Sequence, residues 1–306
     1  MAFRGLLFAV VLIAFTACEP PPDPFGSSRV PTPQLFAPGL VSTEARDYGI
    51  TFTPDGLEAY FTRRERRGRA RIFVSRFVEG RWTEGELASF SGERDEAPFV
   101  SPDGGRMLFA SRRAVPGWDS VRANNIWVAT REEDGWSEPV PLPGDVNRPR
   151  PEGEDSSIGN EVGPVLLENG TLLYWTAEDD EWGSDIYVAE EIDGEFVNPQ
   201  PLGPSINSLG TETNPALSPD GRFLVFQGYR DANGPGGDDL YVSERTTHGW
   251  ADARPLPEPI NSPFADGYPS FSPDGRFFFF ASDRDASNGY WSIYYVEVSA
   301  LGLGAP

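Results

Sequence analysis

The feature that most constrains this chain is a short turn motif that returns at nearly even intervals. Pro-Asp-Gly places aspartates at Asp55, Asp103, Asp220 and Asp274, and Glu-Asn-Gly places Asn169 between the second and third of them. The successive spacings are 48, 66, 51 and 54 residues. A short apolar run precedes every turn, in the segments ITFTPDG, PFVSPDG, PVLLENG, PALSPDG and PSFSPDG. Asp-Gly or Asn-Gly between two β-rich runs signals a hairpin, because glycine supplies the positive φ that a tight turn needs. Six residues past the turn Asp or Asn stands an aromatic in every copy, Phe61, Phe109, Trp175, Phe226 and Phe280, which implies one shared core position. A third strand follows a variable loop (RIFVS, NIWVA, DIYVA, DLYVS, SIYYV). Four copies continue into a fourth (RWTEGEL, GWSEPVPL, EFVNPQPL, GWADARPL).

Four-stranded antiparallel units repeated at this interval bury their faces only against one another, as the blades of a β-propeller do. The expected fold is therefore all-β, a single propeller of five four-stranded blades, with six as the alternative count. The fifth copy ends after its third strand. Its missing strand has a counterpart at the other end of the chain, where PQLFAPGLVS resembles the PVPLPGDVN that leads into the third copy. An N-terminal strand completing the last blade would close the ring and remove its exposed edges.

The repeats are similar to the WD-like propeller repeats of TolB and related bacterial envelope proteins. The resemblance is carried by PSFSPDGRFFFFASDR (269–284) and PALSPDGRFLVFQGYR (215–230), and it covers roughly residues 47–299. It implies the blade and an envelope setting without fixing a function. TolB itself carries six blades, and the 66-residue interval between the second and third turns is short for a hidden sixth.

The N-terminus is a separate unit. Arg4 is the only charge in residues 1–17, an apolar stretch runs from Leu6 to Phe15, and Cys18 follows Thr16 and Ala17. The apolar stretch is too short to span a bilayer and reads as a cleaved export signal. Cys18 is the only cysteine, and Phe15-Thr16-Ala17-Cys18 resembles the lipobox of bacterial lipoproteins. Three segments are expected: a signal peptide at 1–17, a lipidated Cys18 with a Pro-rich tether at 18–33, and the propeller at 34–306. The expected location is the membrane surface of the envelope, periplasmic or outer-membrane. Glu19 after the cysteine removes the aspartate that retains some lipoproteins at the inner membrane.

Charge narrows the partners. Acidic residues number 47 against 25 basic ones, all of them Arg, for a net charge of -22. Such a field repels nucleic acid. The arginines crowd the first repeat, at Arg63, Arg64, Arg66, Arg67, Arg69 and Arg71. Acids crowd the third, at Glu178, Asp179, Asp180, Glu181 and Asp185. Either cluster reads as a solvated loop tip or as a surface for a charged partner.

The sharpest candidate site is a column eight residues before each turn: Asp47, Asp95, Glu161, Glu212 and Asp266, all acidic. First strands line a propeller's channel, so these carboxylates are expected around one mouth of it. There they would bind calcium or an amine-bearing ligand, or would cap local turns and pair with neighbouring groups. Trp118, Trp182, Tyr229, Tyr290 and Trp291 fall in loops of the same face and would suit a sugar or peptide, or would pack those loops. Asp283 to Gly289 lacks the spacing of a calcium loop and reads as a turn. The single histidine, His248, falls on the opposite face. No Gly-x-Ser-x-Gly elbow, zinc ligand set or Gly-rich phosphate loop is present. The expected function is a monomeric, non-catalytic envelope lipoprotein that binds a protein, peptide or glycan, with a bound cation as an option. The alternative is a glycoside hydrolase using two carboxylates of the mouth.

Overall fold

The computed structural model describes residues 23–26, 29–92, 94–118, 123–149, 159–177, 183–230, 237–285 and 290–303. The export signal, Cys18, Trp182, the acids 178–181 and most of the loop 283–289 lie outside the described residues.

Each turn motif folds as its residues dictate. In blade 1 the Thr53 hydroxyl donates to Asp55 Oδ1 (2.6 Å) and accepts the Glu58 N–H (3.0 Å), while Asp55 also accepts the Leu57 N–H. Ser101, Ser218 and Ser272 repeat this lock with Asp103, Asp220 and Asp274. These contacts hold the three carboxyls below the usual aspartate range; the Ser101 hydroxyl is the largest cause at Asp103, while at the other two the bonds outweigh an opposing desolvation. The turn glycine is left-handed in all five copies, from Gly56 at φ +72° to Gly275 at +70°.

Five antiparallel sheets result. Blade 1 is Arg46–Phe52, Glu58–Arg64 and Ala70–Val78, with an outer edge broken into Arg81–Trp82 and Glu86–Leu87. Blade 2 is Asp95–Val100, Arg106–Ser111 and Asn125–Glu132, with Gly135–Trp136 and Val140–Pro141 outside. Blade 3 is Val162–Leu166, Thr171–Thr176, Asp185–Ile192 and Glu195–Pro201. Blade 4 is Thr211–Leu217, Phe223–Tyr229 and Asp239–Thr246, with Gly249–Trp250 and Arg254–Pro255. Blade 5 is Asp266–Phe271, Phe277–Ser282 and Ser292–Glu297, and its outer strand is the N-terminal Gln34–Leu35. The first strands of neighbouring blades touch around the whole ring, blade 5 against blade 1 included. The molecule is thus a five-bladed β-propeller.

The closing strand works because it reproduces what the other blades do. Phe36 N–H donates to Ile293 O, as Leu142, Leu202 and Leu256 donate to Ile126, Ile186 and Leu240. Asn147, Asn207 and Asn261 then grip the same Ile or Leu residues through both backbone groups. At the seam Ser42 takes that position, its hydroxyl donating to Ile293 O at 2.8 Å.

The segment expected as a tether is partly docked. Asp23 makes a two-oxygen ion pair with Arg276, Trp82 Nε1–H donates to Pro24 O, and Phe25 is buried against Phe52, Phe277 and Phe279. Apolar clusters fill each space between blades, and the seam cluster is the most aromatic. Phe36 meets Phe52, Trp82, Phe279 and Tyr295 at ring separations of 5.1–6.0 Å. Replacing Phe36 by alanine is expected to cost about 3–5 kcal/mol, as for other fully packed phenylalanines. Urea denaturation checks this, and an unchanged midpoint would show that the seam contributes little.

One aromatic of the shared column is displaced. Blade 3 turns through Leu167 and Thr171, four residues apart, where the other blades use five. The residue opposite Tyr187 is therefore Tyr174, the counterpart of Phe61 opposite Phe73. Trp175, expected in that column, turns to the other side of the sheet.

Candidate functional site

The five acidic residues begin the first strands, on the expected face, but their side chains do not open on the channel. All five are fully buried, and none lines the lumen. Four of them anchor the same assembly. Asp47 accepts from the Thr43 N–H and hydroxyl and from Arg63 Nε at 2.7 Å. Glu212 does so with Ser208 and Arg230 (2.8 Å), and Asp266 with Ser262 and Arg284 (2.6 Å). Asp95 uses the Gly92 N–H, the Ser111 hydroxyl and Arg113 (2.6 Å).

Each arginine in turn donates to a carbonyl of the preceding loop: Leu40 and Val41, Phe90, Ile206, or Pro259 and Ile260. Each guanidinium lies over two rings. Arg63 covers Phe61 and Phe73, Arg113 covers Phe109 and Trp127, Arg230 covers Phe226 and Tyr241, and Arg284 covers Phe280 and Tyr294, all at 4.8–5.7 Å. The acid column of these blades is thus occupied by turn capping and ion pairing. Among the described residues no three acidic or His/Cys groups gather as a metal would require.

Blade 3 departs from this plan. Glu161 has Arg148 Nε at 3.7 Å, and among the described residues neither carboxyl oxygen has a hydrogen-bond partner. Burial pushes Glu161 up to about 8, with Arg148 pulling the other way.

The lumen itself is built by a bulge in every first strand. The second residue past each acid is left-handed: Gly49, Ala97, Gly163, Asn214 and Tyr268, at φ between +47° and +63°. The strand registers shift at the same points. A non-glycine residue in that region costs of order 1–2 kcal/mol, and such strain is held only where neighbours fix it. Here they do: Thr62 Oγ1 accepts the Ala97 N–H (3.0 Å), and Gln227 Oε1 accepts the Tyr268 N–H (3.3 Å). Below the bulges the channel encloses about 610 Å³ and opens among the turns, lined by Pro98, Pro164, Pro215, Pro269 and Ile50 with other apolar groups.

At the acid-column end lies a different, asymmetric set drawn from all five blades. Tyr48 Oη and Asn124 Nδ2 both donate to Glu96, each at 3.0 Å. Trp175 Nε1 donates to Asn214 Oδ1 (3.2 Å), and Asn214 Nδ2 donates to Gln227 Oε1 (2.9 Å). Tyr48, Tyr268 and Trp291 pack in sequence at 4.6 and 5.3 Å, the first pair tilted and the second edge to face, and Arg46 lies over Tyr48 and Trp291. Arg46 Nε is buried and has no hydrogen-bond partner among the described residues. Burial raises the Asp238 carboxyl, against a hydrogen bond from Gln227 and the charge of Arg46. Burial and the nearby Glu96 raise the Tyr48 and Tyr268 hydroxyls as well.

Of the loop aromatics expected here, Trp291 joins this set. Trp118 is half-buried against the core between blades 1 and 2, Tyr290 is half-buried, and Tyr229 is exposed. Sequence reasoning misses Glu96, Asn124, Asn214, Gln227 and Asp238. The one signal it offers is that Glu96 directly follows the column acid Asp95.

No family model matches the chain, and no curated protein matches it. Among solved structures, TolB from Agrobacterium tumefaciens aligns over 84% of this chain and 78% of its own at 16% identity, with a TM-score of 0.50. An arabinanase of Bacillus subtilis covers 82% and 93% at 12% identity (TM-score 0.51). An α-L-arabinofuranosidase of Podospora anserina, solved with cellotriose, covers 88% and 98% at 11% identity (TM-score 0.52). These likenesses show the propeller fold that the chain shares with both a TolB and two glycosidases.

Glu161 gives a pH test. Its folded value lies above the ordinary 4.5, so the native state keeps a proton that the unfolded chain loses. The stabilisation is complete below about pH 4.5 and is lost as pH rises towards 8. Glu161→Gln cannot ionise, so its melting temperature is expected to overtake the wild type progressively from pH 5 to pH 8.5. Parallel curves across that range would mean that Glu161 is not protonated at neutral pH.

Proposed function

We propose that this protein is a non-catalytic binding propeller of the cell envelope that takes a glycan or peptide segment at the acid-column mouth of its channel. The observation that carries the reading is the asymmetric network around Glu96, Asn214, Gln227 and Tyr268. Preset amide and carboxylate groups beside aromatic faces suit a ligand with both hydroxyl or amide groups and apolar faces. The strained Asn214 and Tyr268 support it, because such conformations concentrate at ligand-binding positions. The envelope setting is supported by the lipobox-like Phe15 to Cys18 and by the fold likeness to TolB. In this reading Cys18 carries the lipid and the protein acts as a monomer.

One observation favours a glycoside hydrolase as the second reading. Glu96 and Asp238 both belong to the mouth and differ in surroundings, Glu96 with two hydrogen-bond donors and Asp238 raised by burial. Paired carboxylates in unlike environments are what acid-base cleavage of a sugar requires. Four of the column acids do not suit it, since arginine neutralises each of them, and Glu161 is fully buried away from the lumen.

Calorimetric titration with oligosaccharides and peptides, run beside product analysis on arabinan and aryl arabinosides, separates the two. The binding reading expects affinity without turnover, weakened at least about tenfold by Gln227→Ala or Tyr268→Ala, the loss of one or two well-placed contacts. Turnover that disappears in both Glu96→Gln and Asp238→Asn would replace it by the hydrolase.

A further inference from the structure

Around the same mouth, blades 1 and 2 carry a sector of positive charge in a chain whose acids outnumber its bases 47 to 25. The hairpin after the second strand of blade 1 exposes Arg64, Arg66 and Arg67. Arg46 pairs in register with Arg64 and so joins that hairpin to the mouth. On blade 2, Arg94 and Arg112 are exposed and tied together by an Arg112 N–H to Arg94 O bond, and the Arg94 N–H donates to Ala70 O of blade 1.

These six differ in pairing from many arginines of the chain; Arg29, Arg81, Arg245 and Arg254 share the lack of a carboxylate within 4.0 Å among the described residues but stand elsewhere in the fold. Arg63, Arg76, Arg106, Arg113, Arg131, Arg148, Arg222, Arg230, Arg276 and Arg284 each meet a carboxylate within 4.0 Å. Among the described residues, none of the six does. Arg112 instead donates to Asn124 Oδ1, the amide that holds Glu96. Glu44, Glu65, Glu93 and Asp119 are the acids within the same loops, the last two outside the described residues. A protein with nearly two acids per base places six guanidiniums on one face with no carboxylate within 4.0 Å among the described residues.

We propose that this sector binds an acidic polysaccharide, whose carboxylates lie on the arginines of blades 1 and 2 while one residue of the chain enters the mouth. The proposal rests on the binding reading of the mouth and adds the ligand's charge. Arginine forks pair with carboxylates through two parallel hydrogen bonds, which favours a carboxylate over a bare negative charge. A thin chain is favoured over an acidic globular protein by the range of the field. At physiological salt a charge is felt over about 8 Å, so a strand on the sector meets mainly arginine, whereas a protein would also meet the acidic remainder of the disk.

The test is a titration of the purified protein with hexagalacturonic acid and, as the neutral control, maltohexaose. Hexagalacturonic acid is expected to bind, more weakly as salt rises, and the exposed-loop variant Arg64→Ala/Arg66→Ala/Arg67→Ala is expected to lose roughly tenfold or more in affinity. Replacing the three by lysine should restore only part of it. Equal binding of both hexamers, untouched by the triple variant, would overturn the acidic ligand and leave the mouth as a neutral-glycan site. No binding of hexagalacturonic acid, with peptides still bound, would overturn the proposal without touching the binding reading. A tighter response to an acidic peptide than to the sugar would also overturn it.

Discussion

The structure depends on a buried clamp made once per blade in four of the five blades. A carboxylate at the start of the first strand caps its own entry loop, holds a guanidinium from the end of the second strand or just past it, and lays that guanidinium across two rings of the second and third strands. The arginine also reaches the carbonyls of the loop arriving from the neighbouring blade, so one side chain joins sheet, loop and neighbour. Removing one member of such a buried pair strands the other charge, at a cost of about 3–5 kcal/mol. The clamp is therefore a device of specificity as much as of stability. It fixes where each blade begins, and with it the position of the bulge that follows.

That bulge links the repeat to the site. It places a left-handed residue at the same point of each first strand and bends five strands towards one axis. Because neighbouring side chains hold the strained backbone, the positions around the bulges are free to differ in chemistry from blade to blade. The symmetric part of each blade makes the ring, and the asymmetric part furnishes the mouth. The arginine sector extends that asymmetry outward over blades 1 and 2.

Much of the ring is legible in the amino-acid sequence alone. The turn motif, the aromatic column and the strand that returns from the N-terminus all correspond to obligatory local physics, and each reappears in the fold. The departures have local causes. Placing Trp175 in the core requires its turn to match the others, and one missing residue moves Tyr174 into that position instead. Reading the acid column as the channel lining follows from the general role of first strands, yet the bulge two residues later changes the parity of the strand. Simple alternation therefore misdirects the side chains before it. The mouth cannot be read as one acidic column, since Glu96, Asn214 and Gln227 occupy unlike positions in their blades, and the one position that Asn124 and Asp238 share carries Trp291 in blade 5.

The seam has a consequence for the order of assembly. Its contacts join Phe36 and Ser42 to Ile293, more than 250 residues along the chain. Blades 1 to 4 can pair their own strands as they are made, but the fifth sheet lacks its outer strand until the last segment meets the first. Contacts of such sequence separation form late and slowly. For most of its synthesis the polypeptide is an open arc with two unsatisfied ends, and ring closure is the event that turns it into a finished molecule.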